Sequence, residues 1–198
     1  MSGVIAFFLG GSTLELVREQ LHLLCGVQPP GSEGAGSWNC SDGIGYLGIG
    51  GTLGIMWITL VLAGSLLALT IRRDRPARLA LVLLAALSTA WILGVTWHGS
   101  MTLVQDEYAP MTGAAYWGQA IGPAALISAV GMAIALLSLA PAGRLSRAGG
   151  IVASVLLVVA TILQPGLSLN LVPAVGLLAA AVVRGLTAEN RNSPARLS

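Results

Sequence analysis

Charged residues are scarce in this chain, and lysine is missing altogether. Of the 198 residues only 9% are Asp, Glu, Lys or Arg, and all ten basic residues are arginine. Soluble domains carry about 25% charged residues, so the composition excludes an ordinary soluble protein. A hydrophobic fraction of 55% and a mean hydropathy of +0.83 indicate an integral membrane protein instead. The use of arginine alone is typical of a high-GC bacterial genome, so we expect a bacterial protein.

Several motifs that carry a known chemistry are also missing. The sequence contains no Walker loop, no dinucleotide-binding fingerprint, no G-x-S-x-G and no H-E-x-x-H. It has no basic groove with interleaved aromatic residues, and we therefore predict no nucleic-acid partner. Because no catalytic motif is present, the sequence favours a protein that is not an enzyme.

Long apolar runs make up most of the rest of the sequence. A helix needs about 20 predominantly apolar residues to cross the hydrocarbon core of a bilayer. The runs predict membrane helices at approximately 46–71, 78–98, 117–140, 149–163 and 167–184. The last two are joined by Gln164-Pro165-Gly166, which predicts a tight helical hairpin or, alternatively, a re-entrant pair. Pro173 is expected to kink the second arm.

The N-terminal segment is less apolar than the other runs. It lacks the basic start and the long apolar stretch of a secretory signal peptide. We predict one helix over residues 3–25, whose upper half leaves the bilayer or packs inside the bundle. The fold class predicted for residues 1–198 is therefore all-α, a single polytopic transmembrane bundle of about six membrane helices.

The arginines are distributed unevenly between the predicted loops. Nine fall on one side of the bundle: Arg72, Arg73, Arg75, Arg78, Arg144, Arg147, Arg184, Arg191 and Arg196. The other side has only Arg18 and six carboxylates: Glu15, Glu19, Glu33, Asp42, Asp106 and Glu107. Since basic loops are retained in the cytoplasm, we expect a plasma-membrane protein with both termini, and a tail at 185–198, inside. The loops at 26–45 and 99–116 are then outside.

The two cysteines, Cys25 and Cys40, lie at the two ends of the first predicted outer loop, which is rich in Gly, Ser and Pro. The outer compartment is oxidising, so a disulfide bond is the expected state of the pair. In the loop-entropy model, closing a loop of about 15 residues contributes on the order of 3 kcal/mol. A redox-active pair and thiolate metal ligands are the alternatives.

A cysteine, a loop and then Cys40-Ser41 before a glycine-rich helix start resemble the outer loop of the vitamin K epoxide reductase family. Members of that family are small helical membrane enzymes that pass electrons from thiols to quinone. They also carry a membrane-embedded C-x-x-C that contacts the quinone, and this chain has no such pair. The electron path that the resemblance implies is therefore incomplete here, and we do not expect the activity.

A polar stripe is predicted on the first helix. Glu15, Arg18, Glu19 and His22 follow at i, i+3, i+4 and i+7, so they share one helical face. In one interpretation this face meets water or a polar seam, and Arg18 pairs with its acidic neighbours. In the other, Glu15 lies within the outer half of the hydrocarbon, where an ionisable residue marks a functional site. For an enzyme, the candidate acid–base groups are Glu15, Glu19, His22, His98 and Asp106.

His22 and His98 are the only histidines, and the predicted topology brings both to the outer boundary. Two imidazoles and a carboxylate would suit zinc or another transition metal, and two imidazoles alone would suit axial ligation of haem. No motif spacing supports either site. The favoured interpretation is a hydrogen bond from each imidazole to a neighbouring carboxylate, and we predict neither metal nor cofactor.

Two small-residue motifs, Gly50-x-x-x-Gly54 and Gly118-x-x-x-Gly122, have the spacing that lets membrane helices approach closely. Three functions follow from the features above. The favoured one is a non-catalytic accessory, assembly or interaction subunit with a disulfide-capped acidic outer face. The alternatives are a small membrane transport or substrate-capture protein and an outer-leaflet enzyme acting on a lipid or quinone. The expected partners are the lipid bilayer and other membrane subunits.

Overall fold

The computed structural model describes residues 4, 6, 10–41, 43–71, 73–103, 107–140 and 144–191. The protein is mostly helical, at 79%. Within the described ranges the α-helices are α1 (Gly10–Glu15), α2 (Leu47–Thr70), α3 (Asp74–Leu103), α4 (Gly113–Ala120), α5 (Gly122–Leu137), α6 (Arg144–Leu163) and α7 (Ser168–Arg191). Val4 and Ala6 are also helical. Two short strands, β1 (Cys25–Val27) and β2 (Trp38–Cys40), add a small hairpin to the all-α prediction.

Four helical segments are long and apolar enough to cross a membrane: Ile44–Leu67, Asp74–Thr102, Leu145–Leu163 and Pro165–Gly185. Helices α4 and α5 together make a fifth candidate, bent by 63° at their junction. The predicted membrane architecture is therefore supported, with four or five of the six predicted spans found among the described residues.

The N-terminal helical segment ends at Gln20 rather than at residue 25. A π-helical turn, Leu16–Gln20, follows α1, and the next residues leave the helix with left-handed backbone angles at His22 (φ 49°) and Leu24 (φ 58°). This reversal takes the chain directly into β1, which pairs with β2 in antiparallel register. His22 and Cys25 therefore do not continue the predicted helical stripe.

The helix predicted at 117–140 is interrupted at Ile121. Pro123, in the first turn of α5, has no amide hydrogen, so the Gln119 carbonyl cannot receive the usual helical hydrogen bond. Proline is well tolerated at the start of a helix, and α5 begins there in a new direction. The interruption leaves backbone groups near Ala120 that need other partners.

The hairpin predicted around Gln164-Pro165-Gly166 is observed, with a short 3₁₀ turn, Pro165–Leu167, between α6 and α7. Gly166 is required in this turn because a Cβ there would lie 2.3 Å from the Leu16 Cβ. The Ser12 hydroxyl donates to the Pro165 carbonyl at 2.8 Å. The N-terminal segment is thus packed against the α6–α7 turn.

Helix α7 forms the centre of the bundle. In its apolar window 56% of the residues are buried, against 22% for α2 and for α6, and its most extensive contacts are with α3. Close approaches occur at Gly64 and Gly150, where a Cβ would come within 2.7 Å of Leu177 and 2.6 Å of Val182. The two predicted small-residue motifs do not make such contacts, since a Cβ at any of their four glycines meets nothing within 4 Å.

The two ends of the bundle differ in charge. At one end, Arg184 Nη1 donates to the Ile71 carbonyl at 2.7 Å, and Arg78 Nη2 donates to the Ser146 hydroxyl. These contacts join the end of α2, the starts of α3 and α6 and the last part of α7, which we call the arginine end. The opposite end, which carries the hairpin, is called the disulfide end.

Candidate binding surface at the disulfide end

The hairpin is closed by the predicted disulfide. Cys25 and Cys40 face each other in the β1–β2 register, and their sulfur atoms are at bonding distance, 2.01 Å. In the connecting loop, Gln28 N donates to the Ser37 carbonyl at 3.0 Å and Gly36 N donates to the Gln28 carbonyl at 3.1 Å. The Gly/Ser/Pro loop is therefore an ordered hairpin, which the sequence did not predict.

Tyr46 anchors the hairpin to the start of α2. Its phenolic hydroxyl is buried and donates to the Leu23 carbonyl at 2.8 Å. The Ser41 amide and hydroxyl both donate to the Leu24 carbonyl, at 3.1 and 3.0 Å. The Leu23 and Leu24 carbonyls, in the left-handed turn before β1, thus accept hydrogen bonds from the segment that follows Cys40.

His22 belongs to an aromatic cluster that joins three elements. Its ring stacks on Trp38 of β2, with the centroids 4.1 Å apart and the planes 2° from parallel. The Tyr116 ring of α4 meets both edge-on, at 5.1 Å from His22 and 5.9 Å from Trp38. Burial lowers the pKa of His22, and the Glu19 carboxylate offsets this effect in part. Aromatic contacts thus take the place expected for a carboxylate hydrogen bond.

The charged residues of the predicted stripe face outward. Glu15, Arg18 and Glu19 are exposed, and Arg18 Nε lies 3.5 Å from Glu19 Oε1. An exposed ion pair of this kind contributes about 0–1 kcal/mol to stability. The pairing of Arg18 with an acidic neighbour is the contact that the first interpretation expected, and the exposed position of Glu15 fits either interpretation.

Gln164 connects three distant segments at this end, a role that the sequence analysis did not predict beyond a turn. Its Nε2 donates to Gln20 Oε1 and to the Ala120 carbonyl, both at 2.7 Å, and its Oε1 accepts from Gly166 N at 3.4 Å. The side chain therefore caps a carbonyl at the α4–α5 break and holds the N-terminal segment. The only sequence feature that could have indicated this role is the position of a single glutamine between two apolar runs.

Of the described candidate acid–base residues, Glu15, Glu19 and His22 lie on the N-terminal segment and the turn after it, and His98 lies on α3. His98 lines a groove of about 540 Å³ between α2 and α3, together with Gly48, Thr52, Trp91 and Gly94. Asp106 lies outside the described residues. In the described part of the chain, no group of three or more His, Cys, Asp or Glu side chains is arranged to hold a metal ion.

A separate groove of about 470 Å³ lies between the N-terminal segment and the half of α2 nearest the disulfide end. Its walls include Gly11, Thr13 and Val17 on one side and Gly50 and Gly54 on the other. Among the described residues, none of those that line it is charged. This groove was not predicted from the sequence.

The disulfide end therefore combines a fixed hairpin, an aromatic cluster and exposed carboxylates on a single surface. No known protein family, curated protein or solved structure matches the chain. A functional interpretation consequently depends on the geometry of this surface and of the grooves beside it.

Proposed function

We propose that the protein is a non-catalytic assembly subunit of the bacterial plasma membrane, and that its disulfide end is the docking face. In this orientation the arginine end and both termini are cytoplasmic, which agrees with the retention of basic segments inside. The N-terminal segment supplies the sixth crossing. The hairpin, with Glu15 and Glu19 beside it, then lies on the outer surface.

The observation that carries the proposal is that the hairpin at the disulfide end is fixed to the helices beneath it. The disulfide, the Tyr46 hydroxyl and the His22–Trp38–Tyr116 cluster fix the hairpin to α2 and α4. A surface fixed in advance loses little conformational entropy when it binds, which favours recognition of a protein partner.

The charges of this surface indicate the kind of partner. Glu15, Glu19 and Glu33 are exposed around the hairpin, with Arg18 among them. Complementary charge steers association and sets specificity, so the partner is a membrane protein with basic residues on its outer segments. An enzyme is less well supported, because the histidine of this surface packs against two aromatic rings.

The test is native mass spectrometry of the chain extracted from its own membranes in mild detergent. The wild-type chain should run as a defined complex with another membrane protein. A variant with Glu15→Gln, Glu19→Gln and Glu33→Gln should lose most of that complex, because the charge attraction is removed while side-chain volume is kept. As a matched control, Arg73→Gln with Arg75→Gln at the arginine end should retain it. A wild-type chain found alone would rule out the assembly role, and so would a complex that survives the loss of all three carboxylates.

A further inference from the structure

We propose that the groove between the N-terminal segment and α2 binds an uncharged lipid-like molecule with one hydrogen-bonding oxygen, a hydroxyl or a carbonyl. This inference concerns a different surface from the docking face, and it does not depend on the assembly role. Three features carry it: the open glycine walls, an unpartnered hydroxyl, and the absence of charge along the groove.

The walls of the groove are kept open by glycine. A Cβ added at Gly11, Gly50 or Gly54 would meet nothing within 4 Å, so packing inside this chain does not require glycine at these positions. Leu14 and Ile58 at the sides are 50% and 48% exposed, which shows that the groove opens laterally. Its volume of about 470 Å³ falls in the range of roughly 300–1,000 Å³ that is usual for small-molecule sites.

Thr13 supplies the polar group. Its side chain is only 6% exposed, and its hydroxyl has no hydrogen-bond partner among the described residues. Two other buried threonines, Thr89 and Thr96, donate to carbonyls of their own helix at 3.0 and 2.8 Å. Burying a hydroxyl without a partner costs free energy. Among the described residues the buried hydroxyls of Thr13, Ser100 and Ser128 lack a partner, and only that of Thr13 belongs to a residue lining this groove. A ligand oxygen would supply the missing partner.

The opposite part of the wall has further capacity for hydrogen bonds. Leu169 lines the groove, and Pro173, inside α7, has no amide hydrogen to donate to the Leu169 carbonyl. The next residue, Asn170, is fully buried, and neither atom of its amide has a partner in the described part of the chain. Asn170 is not among the residues that line the groove, so the Leu169 carbonyl is the further acceptor on this wall.

The remaining features select the class of ligand. Because no charged residue lines the groove, a charged headgroup would be buried without a counter-ion, at a high cost. A transmembrane helix of another protein satisfies its own backbone, so it would give the Thr13 hydroxyl a partner only if it carried a polar side chain opposite Thr13. A hydrocarbon chain that ends in a hydroxyl or carbonyl matches both the apolar walls and Thr13.

The experiment is photoaffinity labelling of the purified full chain in detergent. The probe is hexadecanol with a diazirine and an alkyne on its chain, and its match is the same molecule without the hydroxyl. The alcohol should label peptides containing residues 11–17 and 49–58 about three- to tenfold more than the hydrocarbon does, the ratio that one net hydrogen bond supplies. Unlabelled hexadecanol should compete.

Four variants separate the groove from the rest of the surface. Thr13→Val keeps the shape and removes the hydroxyl, so labelling by the alcohol should fall to the level of the hydrocarbon probe. Gly54→Leu should block labelling by both probes, and Gly50→Ala, a smaller change, should weaken it. Gly94→Leu, which places a leucine in the other groove, where a Cβ also meets nothing within 4 Å, should label like the wild type.

Folding of each variant is checked by its thermal unfolding midpoint. Thr13→Val should not lower that midpoint in ligand-free detergent, because the hydroxyl has no partner to lose. Equal labelling of Thr13→Val and wild type by the alcohol would overturn the role of the hydroxyl. Labelling that spreads over the lipid-facing residues of α6 and is unchanged in Gly54→Leu and Gly50→Ala would overturn the site itself.

Discussion

His22 has an unusual backbone, since it is not glycine and yet has a φ of 49°. Left-handed angles cost free energy for residues with a Cβ and persist where surrounding contacts hold them. The stacking on Trp38 and the edge contact with Tyr116 provide such contacts. The His22 ring is therefore one of the contacts that hold the hairpin in place. We expect its protonation state to affect the stability of these contacts.

We expect the stability of the disulfide end to fall as the medium is acidified. Burial lowers the pKa of His22 below its ordinary value of 6.5, so the unfolded chain binds the proton more readily than the folded one. The stability from neutral His22 is then complete above about pH 6.5 and declines as the pH falls through that value towards the lower pKa of the folded state. Glu19 is the carboxylate that acts against this shift. Thermal unfolding midpoints from about pH 7.5 to pH 5 measure the effect.

Two variants test the assignment of this pH dependence. His22→Phe keeps a stacking ring and cannot titrate, so its midpoint should change less with pH than that of the wild type. His98→Gln leaves His22 in place and should keep the wild-type slope. An unchanged slope in His22→Phe would show that other groups cause the pH dependence.

Some residue-scale features were predictable from sequence and others were not. The pairing of Cys25 with Cys40 followed from their being the only two cysteines and from their place at the ends of one loop. The role of Gln164 did not follow, because its partner Gln20 is 144 positions away and no local pattern relates the two. The unpartnered hydroxyl of Thr13 was equally hidden, since only the packed structure shows what surrounds it.

At the scale of elements, the break between α4 and α5 depends on its neighbours. An interrupted helix exposes backbone carbonyls, and in a membrane protein these are tolerated only where protein or water satisfies them. The Ala120 carbonyl accepts from Gln164, and the Trp117 indole donates to the Thr96 hydroxyl at 3.1 Å, which holds α4 against α3. The 63° bend is therefore a fixed feature of the bundle.

We predict that Gln164→Leu destabilises the protein by about 2–4 kcal/mol, because the three hydrogen bonds of the side chain are lost and the Ala120 carbonyl is left without its partner. Chemical denaturation in detergent measures the free energy, and hydrogen exchange should show faster exchange at residues 113–124. Gln119→Leu is the matched control, since Gln119 is exposed, and its effect should stay within about 0.5 kcal/mol. Equal stability of Gln164→Leu and wild type would contradict the conclusion that Gln164 stabilises the α4–α5 break.

Element bounds were predictable where apolar runs were long. Helix α2 was expected at 46–71 and covers Leu47–Thr70. The hairpin was missed because β1 and β2 have three residues each, too few to show an alternating pattern. The helix break was missed because a proline after a glycine inside an apolar run does not show by itself that the chain changes direction.

At the scale of the molecule, charge is the property that divides the two ends. The arginine end brings together Arg78, Arg184 and the start of α6, while the disulfide end carries Glu15, Glu19 and Glu33. The loops that carry these charges were predictable from sequence, because short polar breaks between long apolar runs alternate between two sides. The packing of the N-terminal segment against the α6–α7 turn was not, since it arises from the fit of Gly166 to Leu16.

The proposed orientation makes a direct prediction about accessibility. Ala35, in the hairpin loop, and Arg75, at the start of α3, are both exposed. Because basic segments stay in the cytoplasm, Ala35→Cys should react with a membrane-impermeant maleimide on intact cells, and Arg75→Cys should react only after the cells are permeabilised. The wild-type chain supplies the background, because both of its cysteines are in the disulfide. The reverse pattern would place the hairpin in the reducing cytoplasm, where the disulfide is disfavoured, and would remove the basis for an outer docking face. Reaction of Ala35→Cys alone on intact cells would instead fix the side from which any partner must approach.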